Sequence, residues 1–141
     1  MNNEIKVLIY GASGYTGKLV AESLAQRDIS FYFSGRNQER LETALSVVNV
    51  RHGSSVKAEI VTANSTADEL VPLFNNVDVV INVTGPFMQI GWPIVEAALA
   101  AGCHYLDTSG EQDWVAAVKE KLGAAFSEKN LLLCPACSYM W

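Results

Sequence analysis

The chain has 141 residues, of which half are hydrophobic and 18% charged, with ten glycines, four prolines and a formal net charge of −5. That profile is one globular domain's worth and excludes disordered, collagen-like and coiled-coil chains; a core of this size needs neither metal nor disulfide to hold it. Ten scattered Lys and Arg leave no nucleic-acid footprint, and no apolar run approaches the roughly 18 residues of a membrane span.

Ile5 to Tyr10 is an apolar, β-branched run broken only by Lys6, as in a buried parallel strand. It stops at Gly11-Ala12-Ser13-Gly14-Tyr15-Thr16-Gly17, and a helix follows with Leu19, Val20, Ser23 and Leu24 on one face. Ser30 to Ser34 is a second strand; Gly35 and Arg36 turn into a helix that Asn37 can cap, with Leu41, Leu45 and Val48 spaced for burial. Val56 to Val61 reads as strand and Thr66 to Phe74 as helix, where Thr66 and Glu69 have capping-box spacing. Val77 to Val83 is the strongest strand. Trp92 to Ala101 is helical, with Gly102 placed for a left-handed cap, and Cys103 to Leu106 is a short strand. Ser109 and Gln112 offer a second capping box, Trp114, Val118, Leu122 and Phe126 recur every four residues, and Leu131 to Cys134 is the last strand.

Six strands alternating with five helices predict an α/β domain, a doubly wound parallel sheet in the order 3-2-1-4-5-6 with helices on both faces. The apolar Ser138-Tyr139-Met140-Trp141 ending suggests a domain of a longer chain. Met1-Asn2-Asn3-Glu4 lacks the basic start of a signal peptide, and three cysteines make an odd count, so cytoplasm is the expected location.

Gly11, Gly14 and Gly17 stand three apart between a strand and a helix, where a dinucleotide site places them. The first permits the tight turn, the second lets backbone approach a pyrophosphate, and the third lets helix pack on strand. N–H groups at the helix start then face the anion, with the helix dipole behind them. Strand 2 ends in Ser34-Gly35-Arg36-Asn37, without the carboxylate that usually binds the ribose hydroxyls of NAD. Arg36 offers a planar fork to a phosphate, Ser34 and Asn37 add neutral donors, and Arg40 follows one turn on. The expected cofactor is therefore NADP, with NAD less favoured.

Ligands of open α/β sheets bind beyond the carboxyl ends of the strands. After strand 4 come Thr84-Gly85-Pro86-Phe87, where Gly85 permits close approach and Phe87 could wall the ribose or nicotinamide. After strand 5 come Asp107-Thr108-Ser109-Gly110-Glu111, where Ser109 can cap the next helix with Glu111 favoured by its dipole, and Asp107 and Thr108 read equally as wall or as part of the cap. His52 and His104 fall at the opposite, amino edge, where a structural role fits better than that of a general base. Cys134-Pro135-Ala136-Cys137 is a CxxC without a following helix, and zinc would need ligands from Cys103 or a histidine at the far end of a strand roughly 13 Å long. No metal is expected. The Tyr-x-x-x-Lys pair of short-chain dehydrogenases is absent, as is any Ser-His-Asp set, so catalytic residues are not assigned and hydride chemistry would come from the cofactor.

Four segments resemble the NADP-binding domain of saccharopine dehydrogenase (saccharopine reductase)-like oxidoreductases. They are the glycine loop Gly11 to Gly17, Ser34 to Asn37, Val77-Asp78-Val79-Val80-Ile81-Asn82-Val83-Thr84-Gly85-Pro86-Phe87, and Gly102-Cys103-His104-Tyr105-Leu106-Asp107-Thr108-Ser109-Gly110-Glu111. The resemblance implies NADP- or NAD-dependent reduction of imines or oxidation of amines on a small-molecule substrate, with enoyl reductases among the relatives. It further implies a substrate domain, also used for dimerisation, after this one. By position, Ser13 to Thr16 would touch the pyrophosphate, Ser34 to Asn37 the adenosine 2′-phosphate, and Thr84 to Phe87 the ribose beside nicotinamide. An NADP-sensing regulator without catalysis, like NmrA-like proteins, is the alternative.

Overall fold

A computed structural model describes residues 4–138. The strands β1 (Val7–Tyr10), β2 (Phe31–Gly35), β3 (Ala58–Thr62), β4 (Val79–Asn82), β5 (His104–Asp107) and β6 (Leu133–Cys134) form one sheet. All neighbours are parallel and the order is β3-β2-β1-β4-β5-β6, as expected from the strict alternation. Ile5 and Lys6, Ser30, Val77 and Leu131 precede the regular pairing, so each of those strands is shorter than its apolar run. The apolar ending at Tyr139, Met140 and Trp141, and Met1 to Asn3, lie outside the described residues.

Side chains alternate across the sheet and divide the core in two. Val7, Ile9, Phe31 and Phe33 point to one face, beneath α1 (Tyr15–Gln26) and α2 (Gln38–His52). Leu8, Tyr10, Val80 and Tyr105 point to the other, beneath α3 (Ala67–Phe74), α5 (Trp92–Ala101) and α6 (Gln112–Glu128). β1 is buried along its whole length because both faces are covered.

In α6, Trp114, Val118, Leu122 and Phe126 are all buried, so the four-residue recurrence marks its inner stripe. In α2 the stripe is Leu41, Ala44 and Val48, with Leu45 only partly buried. The inner face of α1 is Gly17 and Ala21 rather than Leu19, which is exposed; the close helix–strand approach admits only small residues. Asn37 caps α2 as expected, its side-chain oxygen accepting from Arg40 N at 2.9 Å. Gly102 adopts the left-handed φ of +78° that ends α5.

Both expected capping boxes fail to form. Glu69 reaches past Thr66 to accept from Asn64 N and Nδ2 at 2.6 and 3.0 Å. α6 starts after Glu111, and Ser109 is turned instead to Asp107. A sixth helix, α4 (Phe87–Ile90), has only four residues, too few for a periodic signal.

Candidate functional site

β1 and β4 are neighbours whose connections leave the sheet in opposite directions, and this switch point opens a crevice at the carboxyl edge. A cleft of about 570 Å³ lies there, lined by Tyr10, Gly11, Ser13, Gly14, Gly35, Arg36, Asn37, Arg40, Asn64, Val83, Thr84 and Gly85. A second groove continues it along Lys18, Glu39 and Thr43, sharing Ser13, Gly14, Asn37 and Arg40. The glycine loop, the turn after β2 and the turn after β4 are thus brought together from sequence positions more than 70 residues apart.

The three glycines answer to different demands. Gly11 has φ +87°, and a Cβ there would collide with the Thr84 hydroxyl. A Cβ on Gly17 would stand 2.5 Å from the Ala12 carbonyl oxygen, so helix and loop could not close. Gly14 has an ordinary φ of −76°, and its Cβ would meet nothing nearer than the Gly11 oxygen at 3.6 Å. The fold itself therefore does not require glycine at position 14. A ligand lying against the backbone there would.

The loop's N–H groups divide likewise. Gly11 N and Ala12 N both donate to the Ser34 carbonyl at 2.9 Å, and Gly14 N donates to Gly11 O. Ser13, Tyr15, Thr16 and Gly17 have no backbone acceptor for their N–H groups among the described residues. They stand at the positive end of α1, the arrangement that receives a phosphate. Tyr15 and Thr16 are exposed.

At the end of β2, Arg36, Asn37 and Arg40 are exposed at the cleft, whereas Ser34 is fully buried and its hydroxyl has no partner among the described residues. The expected donation by Ser34 to a phosphate is not presented in this arrangement; its contribution is the carbonyl that pins the glycine loop. The Tyr10 hydroxyl ties the β1 end to the loop after β3 through Ala63 O at 2.8 Å and Ser65 Oγ at 3.0 Å. Burial raises the Tyr10 pKa, while the Ser65 hydrogen bond and the nearby Arg36 charge pull it down.

On the β4 side, Thr84 and Gly85 line the cleft and Pro86 is exposed, but the Phe87 ring is buried, 6.2 Å from the Trp114 ring. The expected wall of Phe87 against a ribose is therefore not formed by its ring, which is committed to the core. Thr84 N donates to Asn82 Oδ1 at 3.0 Å, Asn82 Nδ2 to the Tyr105 hydroxyl, and that hydroxyl to Asp107 at 2.8 Å.

Asp107 is neither wall nor cap. It is fully buried and accepts five hydrogen bonds: from Tyr105 Oη, Ser109 N, Ser109 Oγ, Trp114 Nε1 and Ala136 N. Its own carbonyl takes Cys137 N at 2.7 Å, so one residue binds the loops after β5 and β6. Burial, and the Asp107 charge after it, lift the Tyr105 phenol well above its ordinary range. Sequence reasoning missed this hub because one of its donors, Ala136, lies 29 residues away and only the fold brings it beside Asp107.

The histidines sit where expected. His104 Nδ1 accepts from Leu132 N at 3.0 Å, and His52 closes α2. Burial pushes the Cys134 thiol up and the neighbouring Cys137 adds to the rise, the opposite of what a reactive redox cysteine needs. Among the described residues, no three His, Cys, Asp or Glu side chains gather to hold a metal ion. None of the described helices is long and apolar enough to cross a membrane.

A parallel sheet of this order, with a glycine loop feeding a helix beside an open crevice, defines a doubly wound nucleotide-binding domain. The chain belongs to the saccharopine dehydrogenase NADP binding domain family, whose model matches residues 7–127. Among its relatives is a lipid droplet localized protein of Caenorhabditis elegans, 32% identical over 94% of this chain and 33% of that protein. A probable mitochondrial saccharopine dehydrogenase-like oxidoreductase of Arabidopsis thaliana is 32% identical over 94% of this chain and 31% of its own length. A trans-acting enoyl reductase of Mycobacterium leprae is 33% identical over 77% of this chain and 26% of its own. The chain thus spans about a third or less of these relatives. The fold matches saccharopine dehydrogenase (L-Glu forming) of Saccharomyces cerevisiae with a TM-score of 0.71 and 16% identity, over 94% of this chain and 27% of that one.

Proposed function

We propose that this domain holds NADP(H) along the carboxyl edge, for an oxidoreductase that moves a hydride to or from an imine or amine on a small molecule. The observation that carries the reading is Gly14, whose glycine no protein contact requires, lying beside the unpaired N–H groups of Ser13, Tyr15, Thr16 and Gly17. Those groups would hold the pyrophosphate. Arg36, with Asn37 and Arg40 beside it, would take the adenosine 2′-phosphate, supported by the absence of a carboxylate at the β2 end. Thr84 to Pro86 would border the ribose next to nicotinamide. When bound, the cofactor supplies the hydride; the residues described here bind and orient it.

The lengths of the relatives support a further reading, that the domain is the N-terminal part of a longer enzyme whose later part carries substrate groups and dimerises. The enoyl reductase among the relatives favours reduction of a carbon–carbon double bond as the second substrate class.

Parallel titrations with NADPH and NADH test the cofactor. The expected preference for NADPH is about tenfold, roughly 1.4 kcal/mol. It should vanish in Arg36→Ala while NADH affinity stays the same. Equal affinities in the unaltered chain would remove the phosphate role of Arg36.

A further inference from the structure

Glu111 precedes α6 and caps nothing on its own helix. Its carboxylate instead crosses to the loop after β4, where Oε2 accepts from Phe87 N at 2.6 Å and Oε1 from Met88 N at 3.1 Å. These are the first N–H groups of α4, a helix of four residues that cannot sustain itself. A carboxylate facing two such donors makes charge-assisted bonds, and the start of a helix favours its charge. Phe87 is thereby held twice from the same segment, by this clamp on its backbone and by Trp114 against its ring. Thr84, Gly85 and Pro86 come directly before the clamped residue, and Thr84 and Gly85 line the cleft while Glu111 does not.

We propose that Glu111 is a positioning residue for the nicotinamide half of the cofactor: by clamping Phe87 and Met88 it sets the Thr84–Pro86 backbone at the height the ribose needs. The inference rests on the NADP(H) reading above. The adenosine half meets a different set of residues, Arg36 to Arg40 with the glycine loop, which Glu111 does not touch. The clamp therefore acts on one half of a dinucleotide and leaves the other alone. A role confined to stability would not distinguish the two.

Calorimetric titration of the unaltered chain, Glu111→Gln and Glu111→Ala with NADPH and with adenosine 2′,5′-bisphosphate separates these cases. Glu111→Ala is expected to lose about tenfold in NADPH affinity, the effect of losing a charged acceptor, and to keep its bisphosphate affinity within about twofold. Glu111→Gln retains one carbonyl acceptor and should fall between, and it remains informative where the alanine variant fails to fold. Unchanged NADPH affinity in a folded variant overturns the proposal, as does an equal loss for both ligands. If the unaltered chain binds neither ligand, the cofactor reading falls and the inference falls with it; if it binds the bisphosphate and the variants bind NADPH normally, only the inference falls.

Discussion

At the β1–β2 half of the carboxyl edge, the groups facing the cleft are backbone N–H donors and the exposed Arg36 and Arg40, carried on short turns that the Ser34 carbonyl pins from β2. At the β4–β5 half, two carboxylates hold the loops from inside: Glu111 reaches 24 residues back to Phe87, and Asp107 reaches 29 residues forward to Ala136. The first half leaves donors free for a ligand. The second uses its charges on its own backbone. The difference teaches where each half should break: substitutions in the second should cost stability first, and substitutions in the first should cost binding first.

The largest effect is expected at Asp107. Replacing it with Ala leaves the five hydrogen bonds from Tyr105, Ser109, Trp114 and Ala136 without an acceptor, four of them at buried sites. Loss of an acceptor shared by several buried donors costs about 3–5 kcal/mol. Asp107→Asn should recover little, because Oδ2 serves Tyr105 and Trp114 while Oδ1 serves Ser109 and Ala136, and an amide offers one acceptor for both sets. Urea unfolding of the two variants measures this. A loss below about 1 kcal/mol in both would mean that the hub does not hold the loops together.

An alkaline limit lies at the opposite, amino edge, where Cys103 precedes β5. The Cys103 Sγ–H donates to the carbonyls of Phe74 and Val77 at 3.1 and 3.2 Å at a fully buried site, and burial pushes the thiol from 9.0 up to about 11. The folded state therefore holds this proton more tightly than the unfolded chain. The stability it contributes is complete below pH 9.0 and is lost as pH rises toward about 11. Unfolding free energy should fall across that window by up to about 2 kcal/mol from this group. Cys103→Ala should flatten that part of the profile, leaving the later loss from Tyr105. An identical slope in the variant would refute the assignment.

The legibility of the chain follows the same division. The glycine loop, Arg36 and the Asn37 cap lie within a few residues of the turns they build, and local spacing exposes them. The run Val77 to Val83 reads as the strongest strand, yet in β4 and β5 only alternate residues are fully buried: Val80, Asn82, Tyr105 and Asp107. Val79 and Ile81 lie on the face of α1 and α2 and are only partly covered. Periodicity reports apolar character and is silent on which helix lies above it. Ser109 and Glu69 have the spacing of capping residues, but other local partners, Asp107 two residues back and Asn64 five residues back, compete for them and win. Sequence places Glu111 at the start of α6, where the helix dipole favours it, but not its clamp, since α4, the helix it clamps, is too short to announce itself.

The smallest stability effect and the sharpest test of the comparison fall at Gly14. Gly17→Ala brings a Cβ within 2.5 Å of a backbone oxygen, so strain there disturbs fold and binding together and teaches nothing about a ligand. Gly14→Ala meets no such contact and its φ of −76° suits alanine, so only alanine's poorer fit at the N-cap of α1 counts against it, a cost of about 0.5–1 kcal/mol. The reduced freedom of the unfolded chain offsets part of that cost. NADPH affinity should nevertheless drop by about tenfold or more, because the added methyl group occupies the space in which a pyrophosphate approaches the backbone. A variant with unchanged melting and unchanged affinity would mean that nothing lies against Gly14. The open ground over this residue, which carries the functional reading, would then need another explanation.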